Sequence, residues 1–385
     1  MNRRDFIKIG GILGAGAGHI YGKPQYPIDT TKLNKLQQKV NFIFDGSYLS
    51  PLEYSHLLMR LADEGKIKAD MYSNGGIVEE LENKFAKLLG KKSAVFMPTG
   101  TLANHIAIRK LAGNNKRVIV QSESHIYNDS GDCAQTLSNL NLIPLGKDQV
   151  GFSLEDVIDT IKKTKSGRVT TKVGAISIES PVRRKFDRIV TFDKIKEITD
   201  YAHGEGIGQH LDGARLFIQS VHTDISPSQY GELFDTVYTS LYKCFNAAGG
   251  AILAGSKKFT EDLYHTRRMF GGGLVFAWPY AAVALQFVDN FLDDYKSAYS
   301  NAEKLFSLLE NNEYFKIERF DNGTHIFKLI VSNCDLIGFK EALNKRNIQL
   351  RGPDNTGFLI KINPSINRES PENLAKYFIE SHAKV

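Results

Sequence analysis

Gln209-His210-Leu211-Asp212-Gly213-Ala214-Arg215 continues an apolar run that starts at Ile207, then closes on a carboxylate, a glycine and an arginine. Such a run reads as a buried strand with Asp212 at its carboxyl end. On either side, short apolar runs recur at Ser93 to Met97, Arg117 to Val120, Val173 to Ile178, Thr236 to Leu241 and Ala251 to Ala254. Most are separated by segments of helical spacing such as Leu154 to Lys163 and Phe192 to His203. Strands alternating with helices predict an α/β fold, its largely parallel sheet covered by helices on both faces. Upstream, Ile77, Leu81, Phe85 and Leu88 recur at the spacing of an amphipathic helix. From about residue 285 the pattern changes to a helix over Tyr295 to Leu309, strand-like pieces and further helix. The expected division is a large domain over 46–285 and a smaller α+β domain over 286–385, preceded by an irregular arm at 24–45.

Composition narrows the class. A chain of 385 residues is longer than single hydrophobic cores usually support, which agrees with two lobes. With 42% hydrophobic and 24% charged residues it is not collagen-like, coiled-coil or disordered. It lacks an uncharged apolar run of about 18 residues, so no permanent membrane span is expected. The net charge of +6 is spread along the chain rather than gathered in a basic tail, which argues against nucleic-acid binding. Cys133, Cys244 and Cys334 cannot form a disulfide framework and lack zinc spacing. The ten histidines contain no H-E-x-x-H, and no metal site is expected.

Residues 1–23 read as an address. Asn2-Arg3-Arg4-Asp5-Phe6-Ile7-Lys8 precedes a weakly hydrophobic, glycine-rich stretch and resembles a twin-arginine export signal. The plain alternative is a basic, frayed terminus on a cytoplasmic protein. Gly14-Ala15-Gly16 imitates part of a dinucleotide loop, but no strand precedes it.

Four local features carry chemistry. Pro98-Thr99-Gly100-Thr101-Leu102-Ala103-Asn104 follows an apolar strand and opens an apolar helix. Small residues at a helix start offer N–H groups and hydroxyls to a phosphate, although Thr99 or Thr101 could simply cap the helix. Asp212 ends a core strand, where ligand sites in open α/β sheets lie, and is costly to bury unless something cationic meets it. Arg215 is itself a possible partner for it. Ser240-Leu241-Tyr242-Lys243 ends another apolar strand, and a desolvated lysine there would have the lowered pKa of a Schiff-base nucleophile. The alternative is a lysine bent out to solvent. Ser124-His125-Ile126-Tyr127-Asn128 follows the Val118 to Val120 strand, so His125 can stack on a flat ligand or be a hydrogen-bonded loop histidine. Together these form a phosphate cradle, an acid for a ring nitrogen, a reactive lysine and a stacking face, which is the set that pyridoxal 5'-phosphate requires.

The sequence resembles the fold type I pyridoxal-phosphate enzymes of the threonine aldolase and β-eliminating lyase family. The resemblance runs from about Asp45 to about Ala282. It rests on Asp212-Gly213-Ala214-Arg215-Leu216, Ser240-Leu241-Tyr242-Lys243, Thr99-Gly100-Thr101 and Arg268-Met269 with Gly271-Gly272-Gly273. It implies a seven-stranded, mostly parallel sheet sandwiched by helices. It also implies a homodimer or homotetramer with shared active sites, and a Schiff base on Lys243. By the same resemblance, His125 stacks on the cofactor ring, Asp212 holds its nitrogen, and Arg215 contacts its hydroxyl side. Thr99, Gly100, Thr101 and Ser240 complete the expected cofactor set.

Departures from the family pattern bear on activity. Where its aldolases have a histidine serving the substrate hydroxyl, Glu179-Ser180-Pro181-Val182-Arg183-Arg184 places Val182, and an arginine beyond the triple glycine is replaced by Val275. No arginine for the substrate carboxylate is present from Gly357 to Asn363. Arg183, Arg184 and Arg351 are candidates to replace it, with Tyr72 a further candidate substrate contact. The resulting expectation is a lyase acting on a small amino acid by retro-aldol cleavage or β-elimination. Racemase, aminotransferase and non-catalytic pyridoxal-phosphate binding remain the alternatives. The absence of G-x-S-x-G and of G-x-G-x-x-G after a strand speaks against a serine hydrolase and a nicotinamide dehydrogenase.

The export reading predicts that Arg3→Lys combined with Arg4→Lys retains the protein in the cytoplasm. Cell fractionation checks this, and unchanged periplasmic recovery counts against it.

Overall fold

The computed structural model describes residues 39–383; the signal-like segment at 1–23 and the arm up to residue 38 lie outside the described residues. The first described strand, β1 (Val40–Asn41), belongs to the C-terminal lobe. The strands β2 (Ser93–Met97), β3 (Arg117–Gln121), β4 (Asn141–Leu145), β5 (Val173–Glu179), β6 (Gly208–Asp212), β7 (Thr236–Ser240) and β8 (Ala251–Gly255) form one sheet in the order β2-β8-β7-β6-β5-β3-β4. Neighbours from β4 through β7 pair in parallel, and only β8 runs antiparallel to its neighbours β7 and β2. This is the expected mostly parallel, seven-stranded sheet. All seven residues of β5 are buried, as a parallel strand covered on both faces requires.

The apolar runs did not disclose β4, whose sequence is Asn-Leu-Ile-Pro-Leu. Pro144 lacks a donor, and a proline inside a run argues against a central strand. The sheet accommodates it at an edge, where β4 has β3 as its one neighbour.

Parallel pairing brings the carboxyl ends of successive strands to one rim. Glu179 of β5 stands in register with Asp212 of β6, and Asp212 with Tyr238 of β7. On the same rim β2 leads through Pro98 into the helix Gly100–Ala112, capped by Thr99, whose Oγ1 accepts the Leu102 N–H at 3.2 Å. This helix packs across β5, β6 and β8. The predicted amphipathic helix spans Gly76–Leu88 and buries Ile77, Leu81 and Phe85.

A second core fills the C-terminal lobe. β9 (Phe315–Arg319), β10 (Ile326–Val331), β11 (Ile348–Gln349) and β12 (Gly357–Lys361) follow the helix Phe291–Glu310. An antiparallel sheet of order β12-β10-β9 and a parallel pair of β1 with β11 result. Phe306, Leu329, Phe339, Phe358 and Phe378 are buried between them and the helices. The helix starts four residues before the expected Tyr295, because Phe291 is itself buried and Asp293 and Asp294 suit the positive end of the helix dipole. Val40 and Phe42 join this second core. The end of the arm, expected to be irregular, is therefore strand, tied by the Lys361 N–H donating to the Phe42 carbonyl at 2.9 Å. Among the described residues no helix is long and apolar enough to cross a membrane.

Gly100 shows how closely sheet and helix start approach: a Cβ there would lie 2.0 Å from the Tyr238 hydroxyl oxygen. Gly100→Ala is expected to destabilise the protein by about 1–3 kcal/mol through overpacking, read as a lower denaturant midpoint at unchanged slope.

Candidate active site

A cavity of about 300 Å³ opens at the carboxyl rim of the sheet. Thr99, Gly100 and Thr101 border it, as do His125, Asp212, Arg215 and Lys243. Six separate strand ends or turns contribute, so the chain folds these groups together from across more than a hundred residues.

At the helix start, the Leu102 N–H is satisfied by Thr99. Helix geometry leaves first-turn N–H groups without intrahelical acceptors, so Gly100 and Thr101 present theirs beside two hydroxyls. This is an anion cradle.

Asp212 is buried with 4% of its surface exposed. Its Oδ2 accepts from Asn104 Nδ2 at 2.5 Å and its Oδ1 from the Ala214 N–H at 3.2 Å. Asn104 Oδ1 lies 2.8 Å from His210 Nε2, and His210 Nδ1 lies 2.9 Å from Thr236 Oγ1. Because the Asn104 amide donates to a carboxylate, its Oδ1 must receive a proton from His210 Nε2. Nδ1 is then the acceptor of the Thr236 hydroxyl. Burial pushes His210 down to about 3, which keeps it neutral. The chain Thr236–His210–Asn104 thus delivers a donor to Asp212 without neutralising its charge.

Arg215 does not pair with Asp212. Its Nη2 meets Asp45 Oδ2 at 3.0 Å and its Nε faces Asp187 Oδ2 at 3.3 Å. Burial opposes the guanidinium charge, yet Asp187 and Asp45 raise its pKa above the usual range. Asp45 also meets His325 Nε2 at 2.8 Å and Lys361 Nζ at 2.6 Å. Burial would raise its pKa, but Arg215, Lys361 and His325 together hold it well below the ordinary carboxylate value. Asp45, Asp187 and His325 converge as metal ligands might be arranged, but two cations already engage their oxygens, so the cluster is an ion-pair network.

Lys243 follows β7 on the short helix Leu241–Cys244. Burial, and next the Arg215 guanidinium, lower its pKa to about 8 against the pull of Asp212, Asp45 and Asp187. Among the described residues no acid forms an ion pair with it. His125 has its Nδ1 3.1 Å from Ser130 Oγ, and burial is the first cause of its lowered pKa, which leaves the ring neutral.

Other expected residues are placed differently. Ser240 is fully buried at the end of β7 and does not border the cavity. Arg183 borders it, with Nη2 2.6 Å from Asp129. Arg184 faces Asp129 and Glu123 instead, at 3.4 and 3.7 Å. Arg351 is exposed and away from the cavity, and Tyr72 lies 4.7 Å beneath the Arg268 guanidinium, also off the cavity wall. Val182 is fully buried and Val275 is half-exposed, so neither supplies a polar group to the site.

Sequence reasoning missed Asn104 and gave Glu179 no role. Glu179 accepts the His125 N–H at 2.5 Å and the Arg183 N–H at 2.8 Å, fixing both residues. Burial, and then the neighbouring Asp212, push its carboxyl up to about 8. Asn104 falls four residues after Gly100 on the same helix face, the one signal that could have placed it at the rim.

These groups fit pyridoxal 5'-phosphate: a phosphate at Thr99–Thr101, a pyridine nitrogen at Asp212 and a carbonyl carbon at Lys243. The comparisons agree. The beta-eliminating lyase family model matches residues 63–331. A low-specificity L-threonine aldolase of Candida albicans is 26% identical over 316 residues, covering 80% of this chain and 82% of that protein. A low specificity L-threonine aldolase of Escherichia coli is 25% identical over 234 residues, 60% of this chain and 69% of that protein. Among solved structures, a protein of Listeria monocytogenes whose description proposes an L-allo-threonine aldolase has a TM-score of 0.71 at 26% identity, covering 91% of this chain and 99% of that one. The chain belongs to the beta-eliminating lyase family. It is a pyridoxal-phosphate-dependent lyase.

Two outcomes are expected. If Lys243 is the amine that captures pyridoxal phosphate, the capture rate, followed by absorbance, should fall roughly tenfold per pH unit below about 8, since only a neutral amine reacts. Asp212→Ala should abolish turnover while circular dichroism stays native-like; normal turnover would refute the role given to this carboxylate.

Proposed function

We propose that the protein cleaves an amino acid by retro-aldol reaction or β-elimination, with Lys243 as the Schiff-base lysine and as the base that serves Cα. The observation that carries this reading is the placement of an amine lowered to about 8 and a hydrogen-bonded carboxylate on one 300 Å³ cavity. Pyridoxal phosphate, when bound, supplies an electron sink for the bond broken at Cα. What remains is the work of this chain's residues. Asp212 keeps a proton on the ring nitrogen, Glu179 holds the His125 and Arg183 backbones, and the Thr99–Thr101 turn fixes the phosphate end.

A base for a substrate hydroxyl is the point on which the two reactions differ. Val182 cannot act, and both Glu179 oxygens are engaged by N–H groups. His125 is neutral, and its Nδ1 is directed to Ser130, so its Nε2 is the acceptor we assign for the β-hydroxyl proton in retro-aldol cleavage. β-Elimination needs only Lys243 to remove the Cα proton. Arg183 is the one of the three candidate arginines that borders the cavity, and its side chain is 45% exposed beside its pairing with Asp129. We assign it to the substrate carboxylate.

Lys243→Ala should eliminate the absorbance of lysine-bound cofactor, and a retained band would mean that another lysine carries it. With the intact protein, β-hydroxy amino acids are expected to yield glycine and an aldehyde, detected by coupled assay. His125→Asn should then lower kcat by about 10²–10⁴-fold, the usual worth of a positioned base. Keto acid released from serine or cysteine instead assigns the protein to β-elimination.

A further inference from the structure

Tyr238 borders the cavity at the start of the helix Gly100–Ala112. β7 carries it to the same rim as Asp212, its partner in register on β6. Its backbone is held from both sides, since it pairs with Leu253 of β8 and its carbonyl accepts the Gly213 N–H at 2.9 Å. The side chain belongs to an apolar cluster with Met97, Ala103, Ile106 and Leu253, and 3% of the residue is exposed. Such walls ask for no more than a phenyl ring. The hydroxyl needs a separate reason, because a buried phenol ordinarily finds a hydrogen-bond partner and is costly to leave without one.

The hydroxyl reaches the helix start. A Cβ on Gly100 would fall 2.0 Å from its oxygen and 2.4 Å from Cζ, so the absence of a side chain at Gly100 is what admits it. Acceptors in this turn are already engaged. The Pro98 carbonyl takes the Gly250 N–H and the Thr99 carbonyl the Ala103 N–H, both at 3.2 Å, and Thr99 Oγ1 takes the Leu102 N–H. What the turn has left to offer are N–H donors at Gly100 and Thr101. Ser240, two residues on and fully buried, approaches the phenol, yet its Oγ has no hydrogen-bond partner among the described residues. Burial first, then Asp212, raise the Tyr238 pKa well above the ordinary phenol value. The phenol therefore keeps its proton and offers it to whatever acceptor enters. Backbone N–H groups and a phenol that meet without an acceptor are satisfied together by an anion.

We propose that Tyr238 is a phosphate ligand: its hydroxyl joins the Thr99–Thr101 turn as a donor and selects the phosphorylated cofactor against the free aldehyde, pyridoxal. This rests on the pyridoxal-phosphate reading of the cavity and not on which bond at Cα is broken. A donor on a strand paired along both edges is already in place, so little ordering is needed when the anion binds.

Equilibrium dialysis of the cofactor-free full chain against pyridoxal phosphate, and separately against pyridoxal, tests this with Tyr238→Phe. Phenylalanine keeps the ring in its apolar cluster and removes the hydroxyl alone. The variant should raise the dissociation constant of pyridoxal phosphate about tenfold or more, as for a lost hydrogen bond to a charged group, and that of pyridoxal by less than about twofold. An unchanged pyridoxal-phosphate affinity overturns the proposal. So does an equal loss for both aldehydes, which would place the effect of the hydroxyl in the fold rather than on the phosphate. If the wild-type chain binds both aldehydes with one affinity, the cradle at Thr99–Thr101 is refuted and the proposal with it. The role of Lys243 is decided separately, by the imine absorbance of the loaded wild-type protein, so either reading can fail without the other.

Discussion

Arg215 is a buried guanidinium with 5% of its surface exposed, and the rest of the molecule is arranged around its cost. An unpaired cation in such a place would cost several kcal/mol. Asp45 comes from the segment leading out of β1, and Asp187 from the turn after β5. Asp45 in turn engages His325, just before β10, and Lys361, at the end of β12. One charge thus ties the large sheet, the N-terminal strand and the C-terminal lobe to the rim where the cavity opens. Removing either aspartate would leave a buried charge uncompensated, which costs far more than the net worth of the pair. The network also bears on Lys243, whose amine is harder to protonate because it is buried and because a fixed cation stands beside it.

The same rim concentrates negative charge. Glu179 and Asp212 are neighbours in register on adjacent parallel strands, and two buried carboxylates so placed do not both ionise easily. The structure treats them differently. Asp212 receives an amide donor through the His210–Asn104 chain, while Glu179 receives two backbone N–H groups and bears the raised pKa. The Asp212 carboxylate is hydrogen-bonded by a neutral relay, and its neighbour is left to organise the loop carrying His125.

Much of this was legible in the chain, for identifiable reasons. Buried parallel strands read as continuous apolar runs, so β2, β3, β5, β6, β7 and β8 could be marked, and their polar termini pointed to Asp212 and Lys243. The edge strand β4 escaped because Pro144 breaks that pattern where the sheet tolerates it. Arg184 and Arg351 were plausible by residue type, but one faces acids away from the cavity and the other is exposed. Tyr72 lies under Arg268 rather than on the cavity wall. Glu179 and Asn104 carry no local signature of their own, since a carboxylate engaged by backbone N–H groups and an amide on an apolar helix look ordinary in one dimension.

The sequence by itself determined the α/β layering, the family and the cofactor, because each depends on residue type and local spacing. Only the tertiary structure decided which ions pair. Arg215 stands three residues from Asp212 yet is neutralised by Asp45 and Asp187, because the turn after β6 directs its side chain toward the lobe junction. The pocket beside Lys243 was likewise set by folding. Its walls come from residues as distant as Thr99 and Lys243, and a cavity exists only where the packing of distant elements leaves space.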